Sequence, residues 1–205
     1  MPKVALATAQ PTAGERYYLD TSALFSLAQA EAGAAGQPAD TGELARARNV
    51  TAFIARANTA GALTATTVLA FEEIASLTRN RLRTVEARSR GRSSWKELKQ
   101  QAPADAATAD SIAQSGMLTM LKFAADAVGK SGVLVERFGV PAGTTTAASA
   151  AKLRKYHREL LVKHTTLDAM DALHIALGLE LGIKSFITFD GGWEAVPAIT
   201  VLGHV

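Results

Sequence analysis

Two apolar runs in this chain end in an aspartate: Tyr17-Tyr18-Leu19-Asp20 and Phe186-Ile187-Thr188-Phe189-Asp190. Each reads as a strand of a parallel sheet, and in an open parallel sheet ligands bind beyond the carboxyl ends of the strands. Connecting helices run back from the same edge, so residues in their early turns lie near it too. Glu73 and Asp171 fall in the second turns of two such helices. Four carboxylates from distant parts of the chain, Asp20, Glu73, Asp171 and Asp190, are therefore expected to converge. Like charges raise one another's pKa values and burial disfavours the ionised form, so the cluster needs a cation. Mg²⁺ or Mn²⁺, which prefer oxygen ligands, meet that need. Metals held by carboxylates suit phosphodiester hydrolysis, since they acidify a bound water and offset charge on the attacking and leaving oxygens.

Each acid also has a purely structural reading. Asp171 sits in Ala169-Met170-Asp171-Ala172-Leu173-His174-Ile175, apolar on every side as in a buried helix. Its carboxylate needs either a cation or the free amides of a helix N-terminus. Asp20 precedes a helical run and reads equally as an N-cap. Asp190 precedes Gly191-Gly192 and reads equally as a turn aspartate. Glu72 and Glu73 are adjacent, so only one of them faces the site.

The elements that must position these acids alternate as β then α. A short strand at Tyr17–Leu19 leads into a helix from Thr21 to Glu31, and a Gly-, Ala- and Pro-rich loop follows over Ala32–Asp40. A second helix spans Glu43–Asn58 and ends at Gly61, consistent with a C-cap. Ala62–Ala65 is a strand, and Thr66 or Thr67 caps a long helix carrying Leu69, Glu73, Ile74 and Leu77. From about 84 to 150 the pattern is mostly helical, around Trp95–Gln101 and Ala104–Val128. Gly129, Gly132, Gly139, Pro141 and Gly143 then interrupt it, and Val133–Val135 is a candidate strand. This stretch reads as a helical insertion. Helices at Thr146–His164 and Leu167–Leu181, a strand at Lys184–Phe189 and a last strand at Ile199–Leu202 complete the chain. The alternation predicts an α/β fold with a parallel sheet.

Nearly half of the 205 residues are apolar and the mean hydropathy is slightly positive, as in a globular protein. There is no cysteine, which excludes disulfides, thiolate metal sites and cysteine nucleophiles and fits a cytoplasmic setting. A net charge of +3 does not by itself establish nucleic-acid binding. The best membrane candidate, Ala172–Ile183, is too short to span and contains His174 and Glu180. Residues 1–16 lack a hydrophobic signal core and read as a flexible tail.

Four segments together resemble PIN domains, and within them the VapC-like toxins of type II toxin–antitoxin pairs. They are Leu19-Asp20-Thr21-Ser22-Ala23-Leu24, Thr67-Val68-Leu69-Ala70-Phe71-Glu72-Glu73-Ile74, Asp171-Ala172-Leu173-His174-Ile175-Ala176 and Phe186-Ile187-Thr188-Phe189-Asp190. The resemblance covers roughly 17–83 and 150–203. It implies a three-layer α/β/α sandwich with a short parallel sheet and a Mg²⁺- or Mn²⁺-dependent endoribonuclease. Asp20, Glu73 and Asp171 would hold the principal metal, Asp190 would assist, and Ser22 would contact water or metal. The glutamate that precedes an aliphatic residue is the family's choice, which favours Glu73 over Glu72. The products expected are 5′-phosphate and 3′-hydroxyl ends. An RNA substrate, an antitoxin and a second copy of the chain are the partners such a protein would have. A PIN-fold RNA-binding or scaffold protein without catalysis is the alternative.

Other residues admit two readings. Asp168 either extends the acidic site or complements the helix dipole. His174, three after Asp171, reads more readily as packed and hydrogen-bonded than as catalytic. Glu194 lies beyond Gly191-Gly192, which leaves its direction open. Arg79, Arg81 and Arg83 open a basic run that continues to Lys99, placed to track an RNA backbone, with Trp95 able to stack on a base. A solvated helix face is the other reading of that run. His157 and His164 read as surface histidines.

Overall fold

The computed structural model of the chain describes residues 3–136 and 146–203. Gly139, Pro141 and Gly143 lie outside the described residues. The strands are β1 (Val4–Ala5), β2 (Arg16–Leu19), β3 (Leu63–Thr67), β4 (Leu134–Glu136), β5 (Ser185–Ile187) and β6 (Thr200–Gly203). The helices are α1 (Thr21–Ala34), α2 (Thr41–Ala60), α3 (Val68–Ser89), α4 (Trp95–Gln101), α5 (Pro103–Ser131), α6 (Thr146–Lys163) and α7 (Ala169–Glu180), with a 3₁₀ turn at Trp193–Ala195.

All six strands are parallel, in the order β1-β6-β5-β2-β3-β4. From β2 the chain moves outward through β3 to β4, then returns to the other side of β2 for β5 and β6. The direction of winding reverses between β2 and β5, which is where a crevice opens beyond the strand ends of such sheets.

Side chains alternate across the sheet and build two cores. On one face Tyr17, Leu19, Ile187 and Leu202 pack with Leu24 and Leu27 of α1, Phe53 and Ile54 of α2, Ile74 of α3 and Ala124 of α5. On the other Tyr18, Ala65, Phe186 and Val201 pack with Leu160 of α6, Ile175 of α7 and Trp193. The result is an α/β/α sandwich. No helix among the described residues is long and apolar enough to cross a membrane.

Two readings of the sequence are corrected. Residues 3–16 are not simply a tail: Val4 and Ala5 pair with Leu202 and Gly203, and Leu6 is buried. The described residues 84–136 of the segment read as a helical insertion are built into the core and the sheet. α3 continues through it to Ser89, α5 lies in the main core, and β4 extends the sheet beside β3. Five of the six buried positions of α5 are alanines, Ala106, Ala109, Ala113, Ala124 and Ala127, with Val128 the sixth, and such small side chains let it lie close to its neighbours.

Gly178 lets α7 rest on the sheet. A Cβ there would sit 2.4 Å from Cε1 and Cζ of Phe186, a ring that is fully buried. Helix propensity alone favours Gly178→Ala by about 1 kcal/mol. Overpacking costs about 1–3 kcal/mol and should win. The variant is expected to melt several degrees lower, at about 2–4 °C per kcal/mol for a domain of this size. Thermal denaturation followed by circular dichroism checks this, and a rise in Tm would refute the packing.

Candidate functional site

β2, β3 and β5 end side by side. Leu19 pairs with Ile187 and Tyr18 with Ala65, so Asp20, Thr188 and Thr67 occupy neighbouring strand ends. Asp20 is only 1% exposed. Its Oδ1 accepts from the Ser22 hydroxyl at 2.8 Å and the Ala23 amide at 3.0 Å, and its Oδ2 accepts from the Thr188 hydroxyl at 2.6 Å. The Ala23 bond makes Asp20 the N-cap of α1, so the capping reading is correct and accompanies the position at the crevice. Ser22 Oγ in turn accepts from the Phe189 amide at 2.8 Å, and Thr188 Oγ1 from the Asp190 amide at 3.0 Å. These bonds tie the segment after β5 to the start of α1.

Burial, and then the charge of Asp190, push the Asp20 carboxyl up to about 7; the bonds from Thr188 and Ala23 and the nearby His174 act in the opposite direction. Asp171 is the third residue of α7, in the first turn and not the second, and is half-buried. Its carboxyl is also raised, first by burial, then by Asp168 and Asp190, against the pull of the Trp193 indole. Trp193 Nε1 is buried and makes no formed hydrogen bond, so the indole acts on Asp171 as a nearby polar N–H and falls short of a bond. Asp190 is exposed, and its charge bears on both Asp20 and Asp171.

Glu73 reaches the same edge from α3, while Glu72 is exposed. Glu73 Oε2 accepts from the Thr21 hydroxyl, and lies 2.9 Å from Nε2 of the buried His174. His174 Nδ1 is 2.7 Å from the Tyr18 hydroxyl, which is 2.8 Å from Thr67 Oγ1. An ionised carboxylate only accepts, so with a neutral imidazole the chain has one consistent direction. Thr67 donates to Tyr18, Tyr18 donates to Nδ1, and Nε2–H donates to Glu73. The His174 bond is the first cause holding the Glu73 carboxyl below its usual range, ahead of the opposing effect of burial. Burial raises the Tyr18 phenol, which keeps its proton available to the imidazole.

The acids thus meet at one edge without forming one tight cluster. Among the described residues, no three His, Asp or Glu side chains stand close enough together to hold a single ion. Asp20 and Glu73 are instead turned onto internal donors.

The remaining candidates separate. Asp168 is the N-cap of α7: its Oδ1 accepts from the amides of Met170 and Asp171, each at 2.8 Å, and it is exposed. Arg79 and Arg83 both pair with Asp110 of α5, at 2.9 and 2.7 Å, and clamp α3 to α5. Their charges are therefore partly spent inside the fold. Arg81 is exposed. Trp95 lies under Arg83, 5.1 Å from guanidinium to ring centre, and joins the small core of Ala87 and Leu98, so it is no open stacking platform. Glu194 turns to Lys3 at 3.2 Å and to the Gly192 amide. His157 bonds the Ala169 carbonyl, 3.0 Å from Nε2.

Tyr18, Thr21, Thr67 and Thr188 escaped the sequence reading as site residues. The available signal was polarity in otherwise apolar, buried strand ends, where an unpaired hydroxyl is costly and a partner is implied. Comparison of the chain with protein-family models, with curated proteins and with solved structures gave no match.

The raised Asp20 carboxyl has a consequence for stability. Its folded-state pKa, about 7, lies above the ordinary value of 3.8, so its contribution is fully present below about 4 and is lost as pH rises through about 7. Asp20→Asn keeps an acceptor for Ser22 and Ala23 and removes the buried charge. Its melting temperature relative to wild type is therefore expected to climb between pH 5 and pH 7.5. A difference that stays flat across this range would contradict the site's electrostatics.

Proposed function

We propose that this chain is a PIN-like, Mg²⁺- or Mn²⁺-dependent ribonuclease that hydrolyses RNA phosphodiester bonds. The observation that carries the reading is the buried Asp20 at the winding reversal of a parallel sheet, with Asp190 acting electrostatically on it and on Asp171. Like charges gathered where such sheets bind ligands are what a hard cation relieves. The donor set is carboxylate oxygen, which fits Mg²⁺ or Mn²⁺ and not a softer metal. Asp20, Glu73 and Asp171 would hold the ion and Asp190 would assist. When bound, it supplies an acidified water and neutralises charge on the phosphate.

The chain's own groups prepare that chemistry. Ser22, Thr188 and the Ala23 amide fix both oxygens of Asp20. His174 and Thr21 fix Oε2 of Glu73. The fully buried Trp193 brings its indole N–H near Asp171. The four-segment resemblance supports the finer reading as well: the toxin of a type II pair, with an antitoxin partner, a homodimeric state and a cytoplasmic RNA target.

One observation favours a second reading. The carboxylates bond internally and no compact trio exists among the described residues, as a non-catalytic RNA-binding or scaffold protein of the same fold would have it. The two readings part in one experiment, RNA cleavage with and without Mn²⁺. The wild type should cleave only with the ion. Asp20→Asn, Glu73→Gln and Asp171→Asn should each lose at least about a hundredfold, beyond the range seen for residues that merely support metal ligands. In parallel, Mn²⁺ should raise the melting temperature of the wild type and not of Asp20→Asn. Equal cleavage by wild type and Asp20→Asn, or no cleavage and no Mn²⁺ effect at all, would overturn the ribonuclease reading.

A further inference from the structure

A groove of about 790 Å³ opens on the α1, α2, α3 and α5 side of the sheet, within the range of about 300–1,000 Å³ typical of small-molecule sites. Phe25 of α1, Leu77 and Leu82 of α3 and Met120 of α5 are among its apolar lining residues, and its charged ones are Arg81, Asp40 and Glu43, the last bonded to Ser26 and Arg46. Leu77 is 55% exposed, an apolar side chain left open to solvent. α3 carries residues of both the groove and the acidic edge. Glu73, Leu77 and Arg81 are four residues apart and form one ridge, each step advancing about 6 Å at about 1.5 Å per residue. Of the three arginines at the start of the basic run, Arg79 and Arg83 are held by Asp110, whereas Arg81 is in no ion pair among the described residues.

We propose that this groove is a nucleotide subsite: one unpaired base of a single-stranded RNA lies against Phe25, Leu77 and Met120, and its flanking phosphate rests on Arg81. The charges orient the ligand. Asp40 repels a phosphate but accepts from the N–H groups of a base edge, whereas Arg81 does the opposite. Apolar and aromatic walls suit any base, because every base has a π-face. The strand then runs along the α3 ridge from the carboxylates to the arginine. The subsite rests on the ribonuclease reading for the identity of the strand, but its binding is measurable without turnover. Met120 comes from the segment that had looked like an insertion, so the fold itself supplies one wall of the subsite.

The test is binding of a fluorescent eight-nucleotide single-stranded RNA, followed by anisotropy in the full-length Asp20→Asn background, where cleavage cannot intervene. Leu77→Asp and Arg81→Gln alter exposed side chains, and circular dichroism confirms that they fold. Each is expected to weaken binding about tenfold, and Arg81→Gln also to lower the slope of log affinity on log salt by about 0.7, the single-strand value for one phosphate contact. Arg158→Gln, an exposed cation on α6 across the sheet, should change affinity less than twofold. Absent binding in the parent, unchanged affinity in both groove variants, or an equal loss in Arg158→Gln would overturn the subsite. If Mn²⁺-dependent cleavage by wild type persists while the groove variants bind normally, the subsite falls and the ribonuclease reading stands. If binding depends on the groove while the wild type never cleaves, the reverse holds.

Discussion

A carboxylate with almost no contact with water is the constraint around which this fold is arranged. Asp20 ends β2, caps α1 and sits where the sheet changes its direction of winding. Three short polar groups hold it, two of them from the first turn of α1 and one from the end of β5. Ser22 and Thr188 bond onward to the Phe189 and Asp190 amides, so the carboxylate also fixes the path of the chain that carries the next acid. Local capping and long-range assembly are one network here, and the charge it stabilises is opposed by burial and by Asp190.

The second network is independent in its contacts but parallel in logic. Thr67, Tyr18, His174 and Glu73 come from β3, β2, α7 and α3, and their bonds pass from the sheet interior to the edge. A phenol that burial keeps protonated and a carboxylate that accepts only leave a single direction for the protons when the imidazole is neutral. The imidazole therefore has its tautomer set from behind, and Glu73 has its orientation set by the imidazole. Such fixed polar groups at the mouth of a crevice are organised before any ligand arrives.

Much of this was legible in the sequence. Strand-ending aspartates and β-then-α alternation were enough to place Asp20, Asp190, Glu73 and Asp171 at one edge of a parallel sheet. Glu73 could be chosen over Glu72 by resemblance alone; Glu73 is half-buried and Glu72 is exposed. Hydrogen-bond partners were not legible, because hydroxyls such as Thr188 and Thr21 look ordinary until the strand register sets them beside a buried acid. Nor was the fate of the arginines: spacing put Arg79 and Arg83 on the side of α3 that meets Asp110, a residue of a helix 27 and 31 positions away. Residues 84–136 misled because a long alanine-rich helix carries little periodic contrast, although small side chains were what let α5 enter the core. Residues 4–6 misled for a related reason, since an edge strand of two residues leaves almost no pattern.

That brief strand sets a condition on how the molecule comes together. Val4 and Ala5 pair with Leu202 and Gly203, almost the whole length of the sequence away. During synthesis they must wait, unpaired, until the last strand has left the ribosome, while β2, β3 and β4 can associate earlier. Contacts of such long sequence separation form slowly because the loop they close is large. The outer border of the sheet is therefore the last part to be sealed, and until then β6 has no neighbour on that side.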